Sequence, residues 1–261
     1  MAVVIAALDT TAAARPVLET ALRLGARTGA AVEAVHVLDG DTETPRALAA
    51  RAGVVLRTLE DPLGPALATA ISAQGTAAGV IGARSTPGGR RPVGHSAEYV
   101  VSHATKPVIV VAPEADTQRG LQRVLVPLEG DLSSSRPVLE HLHALVGAQA
   151  ELVVLHVFTA TTLPAMLDRG RDLEIIGKEF LARHLPHATR IVFRPGPTAR
   201  RVLEVAAEER VDLVVLSWGQ DVAGGRARVV REVLGSCALP VLLLPVGGPP
   251  APAGPNRAVR P

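Results

Sequence analysis

The sequence predicts an α/β fold: two tandem units, each a five-stranded parallel sheet covered by helices on both faces. Three observations carry this reading. Short apolar runs alternate with segments of helical periodicity along the whole chain. The runs are apolar at every position, not every second one, which is the pattern of strands buried on both faces. The series also repeats. Arg15-Pro-Val-Leu-Glu returns as Arg136-Pro-Val-Leu-Glu, 121 residues on, and Val35-His-Val as Leu155-His-Val, 120 residues on. Lys106-Pro-Val-Ile-Val-Val returns as Leu239-Pro-Val-Leu-Leu-Leu, 133 residues on. Landmarks in one order at near-constant spacing mark an internal duplication.

Taken in order, Ala2 to Leu8 reads as the first strand, and Asp9-Thr-Thr opens a helix from Ala12 to Gly25. Pro16 stands in its first turn, Gly25 and Gly29 close it, and Asp9 is its expected N-cap. Ala31 to Leu38 is the second strand, Thr44 to Gly53 a short helix, Val54 to Thr58 the third strand and Pro65 to Gln74 a helix. Ala77 to Ile81 is the fourth strand. A helix from Ala97 to Thr105 and a strand from Pro107 to Val111 end the first unit. In the second unit the strand before the loop recurs as Asp212-Leu-Val-Val-Leu, and a longer helix is expected from Leu163 to Leu185. The expected domains are residues 1–115 and 121–246, joined by the polar stretch Pro113 to Gln122. Residues 247–261, rich in Pro and Gly, read as a disordered tail.

Composition excludes several function classes. The 261 residues are 48% hydrophobic, enough for a substantial core, but only 2% aromatic, which argues against stacking platforms for single-stranded nucleic acid. There are 27 basic and 25 acidic residues, a net charge of +2, and no run of Lys or Arg exceeds two, so no nucleic acid is expected as partner. A single cysteine, Cys237, permits no intrachain disulfide and reads as a buried, inert thiol in a reducing compartment. The N-terminus meets Asp9 without a basic leader and reads as a strand, not a signal peptide. No apolar run has the length to span a bilayer, so no membrane is expected and the expected location is cytoplasmic.

One stretch stands out for chemistry: Gly82-Ala-Arg-Ser-Thr-Pro-Gly-Gly-Arg-Arg-Pro-Val-Gly-His-Ser96. It follows a strand and precedes a helix. In that order, glycines let the backbone approach an anion and the free N–H groups of the helix start complement its charge. The same composition also describes a flexible surface loop.

The whole pattern resembles the universal stress protein family, as a tandem pair of its Rossmann-like domains. The residues that carry the likeness are an apolar first strand ending in an acid (Leu8-Asp9; Leu128-Glu129) and a second strand ending in His-Val (His36-Val37; His156-Val157). Each unit closes on a strand, glycine loop, helix and Pro-Val strand. In ATP-binding members the loop is a glycine, two residues, a second glycine, nine residues, then Gly-Ser or Gly-Thr. On that pattern the first glycine is Gly82, Ser85 stands at the second, and Gly94 is the third after eight residues. His95 stands at the hydroxyl position, with Ser96 following. The resemblance implies ATP or a related adenine nucleotide, with Mg2+, as cofactor. It places Asp9 and Val37 near the adenine and ribose, and Ile81 against the base. The phosphates would then meet Gly82, Arg84, Ser85, Gly94, His95 and Ser96. It implies a pseudo-two-fold pairing of the final strands, a regulatory protein partner and room for further homodimer formation. The second copy departs further: Ser217 and Gln220 stand at the paired glycines, and Ala227-Arg228 at the Gly-Ser/Thr pair. No nucleotide is therefore expected there, and Trp218 reads as a packing or interface residue.

No catalytic or metal residue is assigned. There is no Gly-x-x-x-x-Gly-Lys-Ser/Thr loop and no Gly-x-Ser-x-Gly elbow. His141 and His143 point apart on a helix, His184 and His187 read as solvated, and His36 and His156 as structural equivalents. Glu208, Glu209 and Asp212 read as a solvated face. With no acid, base and nucleophile assembled, the expectation is a regulatory module and not an enzyme, the alternative being an interaction scaffold without nucleotide in either copy.

Overall fold

The computed structural model describes residues 2–38, 40–60, 62–83, 94–117, 119–128, 142, 145–147, 149–158, 175, 179, 190–220 and 225–246. The expected helix at 163–185 lies outside the described residues except for two positions, and the histidines at 141, 143, 184 and 187 and the tail 247–261 lie outside them.

The first half runs β1 (Val3–Ala7), α1 (Ala14–Thr28), β2 (Ala31–Val37), α2 (Glu43–Arg51), β3 (Val55–Leu59), α3 (Leu63–Ser72), β4 (Thr76–Gly82), α4 (His95–His103), β5 (Val108–Val111). The second half contributes β6 (Arg123–Pro127), β7 (Glu151–Phe158), β8 (Arg190–Pro195), α5 (Thr198–Glu208), β9 (Leu213–Trp218), α6 (Gly225–Ser236) and β10 (Val241–Pro245). Observed bounds differ from the expected ones by a few residues. Helix α1 runs through Gly25 and is closed by Gly29 alone, which adopts the left-handed cap at φ 68°. Gly25 stays inside because a Cβ there would lie 2.7 Å from the Val32 side chain.

The strands form a single sheet in the order β3-β2-β1-β4-β5-β10-β9-β6-β7-β8. Every neighbouring pair is parallel except the central one, where Val108, Ile109 and Val110 of β5 face Leu243, Leu242 and Val241 of β10 in antiparallel register. The two final strands thus cover each other's edge, which otherwise would offer two apolar templates for aggregation. The outer edges are managed differently. Strand β3 is mostly exposed and pairs Arg57 with Glu33, and β8 pairs Arg190 with Glu209 and Arg194 with Glu208. The expectation of strands apolar throughout therefore fails at β3, because an edge strand has only one neighbour to bury it.

Alternate strand residues feed two cores, one per face. Val4, Ala6 and Leu8 pack with Val17, Leu18, Ala21 and Leu24 of α1 on one face, and that cluster continues through Leu242 and Leu244 to Leu142 and Val146. Ile5, Val35, Val37 and Ile81 pack with Ile71 of α3 and Val100 and Val101 of α4 on the other, continuing to Leu216, Trp218 and Val233. Both clusters cross the central seam, so the two halves share their cores. Cys237, the chain's single cysteine, is buried.

Candidate functional site

Strand β1 lies between β2 and β4, and the chain leaves β1 and β4 toward opposite faces: α1 packs with the first core and α4 with the second. In an open parallel sheet, neighbouring strands whose connections diverge leave a crevice at their carboxyl ends. Asp9 follows β1, Val37 ends β2, Ile81 and Gly82 end β4, and Gly94, His95 and Ser96 open α4. The topology therefore brings seven of the nine sequence-predicted residues to one edge. Arg84 and Ser85 lie outside the described residues.

The two glycines are needed for different reasons. Gly94 has φ 85° and ψ 141°, a conformation that side chains disfavour, and it precedes α4 without any side-chain cap. Among the described residues no side chain caps the first N–H groups of α4, which lie at the positive end of the helix dipole. Gly82 is conformationally ordinary. A Cβ there would lie 2.8 Å from Ala13 Cβ, so its smallness admits the start of α1 against β4. Its packing accounts for it without a phosphate.

Asp9 is not the N-cap of α1. Its Oδ1 accepts from the backbone N–H of Thr11 at 2.9 Å and from the Thr11 hydroxyl at 2.8 Å, while Ala13 occupies the cap position without a side-chain bond. An aspartate reaches the backbone two residues on and closes a turn. The chain needs the following residues to climb from the sheet edge to the helix, so the helix begins later than Asp9 can reach. Among the described residues, Asp9 Oδ2 makes no hydrogen bond.

Val37 and Ile81 are each 3% exposed, below the rim of the crevice. Their neighbour Leu38 is 52% exposed at the end of β2. Sequence reasoning misses Leu38, because an apolar residue finishing an apolar run reads as core; only its place at the strand's carboxyl end marks it. His36 sits behind the edge, buried, with Nδ1 2.9 Å from the Leu8 carbonyl; His156 repeats the contact to Leu128 at 3.2 Å.

The second half has the same ladder and a different edge. Ser217 faces Leu244 as Gly82 faces Val111, and His156 faces Phe193 as His36 faces Thr58. By register, Phe158 answers to Leu38, Phe193 to Thr58, Trp218 to Ala83 and Gln220 to Ser85. Phe158 is 2% exposed and stacks on Phe193 with centroids 5.4 Å apart, and His156 meets Phe158 edge-on at 4.9 Å. Trp218 is buried, with Nε1 donating to the Val101 carbonyl at 2.7 Å, so it is an interface residue between the halves. Aromatic side chains stand where the first half has Leu38, Thr58 and Ala83.

Of the carboxylates at the foot of α5, Glu208 is exposed, but Glu209 and Asp212 are engaged and not part of a solvated face. Glu209 is 8% exposed and pairs with Arg190, and Asp212 Oδ2 accepts from the backbone N–H groups of Gln122 and Arg123 at 3.0 Å each. Arg123 in turn holds Glu151 through two bonds of 2.7 and 2.8 Å, which lower the Glu151 pKa from its ordinary value. These groups tie the sheet's amino edge together, a role that spacing along one helix cannot reveal. Among the described residues no three His, Cys, Asp or Glu side chains converge on a metal position, and no helix is long and apolar enough to cross a membrane.

Residues 120–245 match the sequence model of the universal stress protein family. The fold is similar over nearly the whole chain to a universal stress protein from Archaeoglobus fulgidus, at 16% identity and TM-score 0.66, covering 94% of this chain and 98% of that one. A protein of unknown function from Pseudomonas aeruginosa is similar at 14% identity and TM-score 0.68, covering 93% and 92%. No curated protein matches the chain. The sequence match falls on the half whose edge is filled, while the likeness of fold spans both. Residues 120–245 are thus a domain similar in sequence to the universal stress protein family, and the whole chain shares the fold of the solved proteins.

Proposed function

We propose that the protein is a regulatory stress-response module, cytoplasmic, that binds ATP or a related adenine nucleotide at the carboxyl edge of its first half and none at its second. On this reading residues 1–115 are the nucleotide domain and residues 121–246 a companion domain of the same fold. The observation that carries it is the start of α4: Gly94 at φ 85° begins a helix beside a strand switch point, with no side-chain cap among the described residues. The residues suit the ligand. His95 is an exposed donor beside those N–H groups, Asp9 Oδ2 is available to a ribose hydroxyl, and exposed Leu38 offers an apolar face to a base. Arg84 and Ser85, with Mg2+, would complete the phosphate contacts. The nucleotide-bound state would then bias a surface read by a protein partner, with no bond made or broken by this chain.

Calorimetry of the full chain with MgATP tests the reading, with a saturable heat expected. No saturable heat at millimolar MgATP would leave an interaction scaffold of the same fold as the better account. Gly94→Asp should abolish binding through repulsion, but its backbone strain also costs stability, about 1–3 kcal/mol. His95→Glu separates the effects. A carboxylate at the start of a helix stabilises it while repelling phosphate. Binding is expected to weaken about tenfold or more, the effect of losing one charge-assisted contact and gaining repulsion, with no loss of melting temperature.

A further inference from the structure

We propose that the second half's altered loop is a clasp on the far end of α4 that sets how well the first half binds its nucleotide. The proposal rests on the nucleotide reading above and names residues that reading does not use. Helix α4 is the shared part. Its first residue follows Gly94, and its last turn ends about 13 Å away, at 1.5 Å per residue. The final carbonyls of a helix lack partners within it and need outside donors. Two of them find donors across the seam: Trp218 Nε1 reaches the Val101 carbonyl at 2.7 Å, and Gln220 Nε2 reaches the Ala104 carbonyl at 2.6 Å. Both bonds are buried.

Gln220 shows that this contact has displaced another use of the same backbone. By ladder register it stands at the family's second glycine, and its φ is 59°, the left-handed conformation a glycine would adopt freely. Its side chain is 2% exposed, and among the described residues its Oε1 has no hydrogen-bond partner. A left-handed non-glycine residue and a buried unpaired oxygen are both costs. Donation to the Ala104 carbonyl offsets these costs and explains a glutamine at this position. Ala83, which answers to Trp218, has no side-chain donor to return that bond. What was a phosphate loop by pattern has become a capping device for the helix that opens the other site.

Trp218 is the chain's single tryptophan, so its emission reports the clasp alone. The test titrates MgATP into the full chain and reads heat and tryptophan emission together. Emission is expected to change saturably with the midpoint of the heat. Trp218→Phe keeps the ring and Gln220→Met keeps the length, and each removes the donor; each is expected to weaken MgATP about five- to tenfold, a typical coupling between sites. A purely structural role would lower melting temperature and leave affinity unchanged. If heat saturates while emission stays flat and both variants bind like wild type, the clasp has no hold on the site and this inference falls while the nucleotide reading stands. If no heat appears at millimolar MgATP, both fall.

Discussion

The carboxyl edges of the two halves share one ladder and differ in what stands on it. In the first half the places hold Leu38, Thr58 and Ala83; at the matching places of the second stand Phe158, Phe193 and Trp218. The strands beneath are the same, down to the histidine that holds the preceding strand end. The difference teaches that this fold does not need a ligand to close a strand switch point. Aromatic side chains can occupy the crevice, and their burial then contributes to stability.

The sharpest way to break this comparison is to empty the filled edge. Trp218→Ala removes a buried ring and a seam hydrogen bond, and a loss of about 3–5 kcal/mol is expected by denaturant unfolding, the range for large aromatic truncations. A loss below 1 kcal/mol would mean the ring is not packed as described. Next is the exchange of Gly82 and Ser217, which face equivalent partners. Gly82→Ala forces a Cβ to within 2.8 Å of Ala13 Cβ and should cost about 1–3 kcal/mol as overpacking. Ser217→Ala, with no such neighbour required, should stay within about 0.5 kcal/mol. Equal costs would show that Gly82 is not there for packing.

The smallest expected effect concerns the amino edge, opposite both sites. Hydrogen bonds from Arg123 depress the Glu151 pKa in the folded state, against a smaller opposing effect of burial. A carboxyl depressed on folding binds its proton more readily when unfolded. Its contribution is therefore present above the unfolded value of about 4.3 and is lost as pH falls through the folded value. The pair is about one-third exposed, so the contribution is held to less than about 1 kcal/mol. Glu151→Gln should narrow the gap between neutral and acid melting temperatures by that amount. A Glu151→Gln variant with an unchanged acid limb would remove the pair from the account.

How much of this was legible in the sequence follows from what each residue touches. The alternation of elements and the duplication were readable because they are periodic along the chain, and the antiparallel seam followed from the family resemblance. The place of Asp9, Gly82 and Gly94 at one edge was also readable, through the same motif. The reasons behind them were not. Gly82 looks like a phosphate glycine in one dimension, and only the approach of Ala13 shows its packing role. Asp9 precedes a helix in sequence, but the chain's path leaves it closing a turn. Glu209 and Asp212 pair with residues 19 and about 90 positions away, a relation no helical wheel contains. Trp218 and Gln220 were recognisable as departures from a glycine pattern; their carbonyl partners, more than 100 residues earlier, were not.

The central claim is that one edge is open to a nucleotide and the other is filled, and the stoichiometry of MgATP binding tests it most directly. Calorimetry on the full chain is expected to give one nucleotide per chain, with the site removed by His95→Glu and retained in a Phe158→Leu variant. Two equivalents per chain, or one that survives His95→Glu and disappears with Phe158→Leu, would contradict the account.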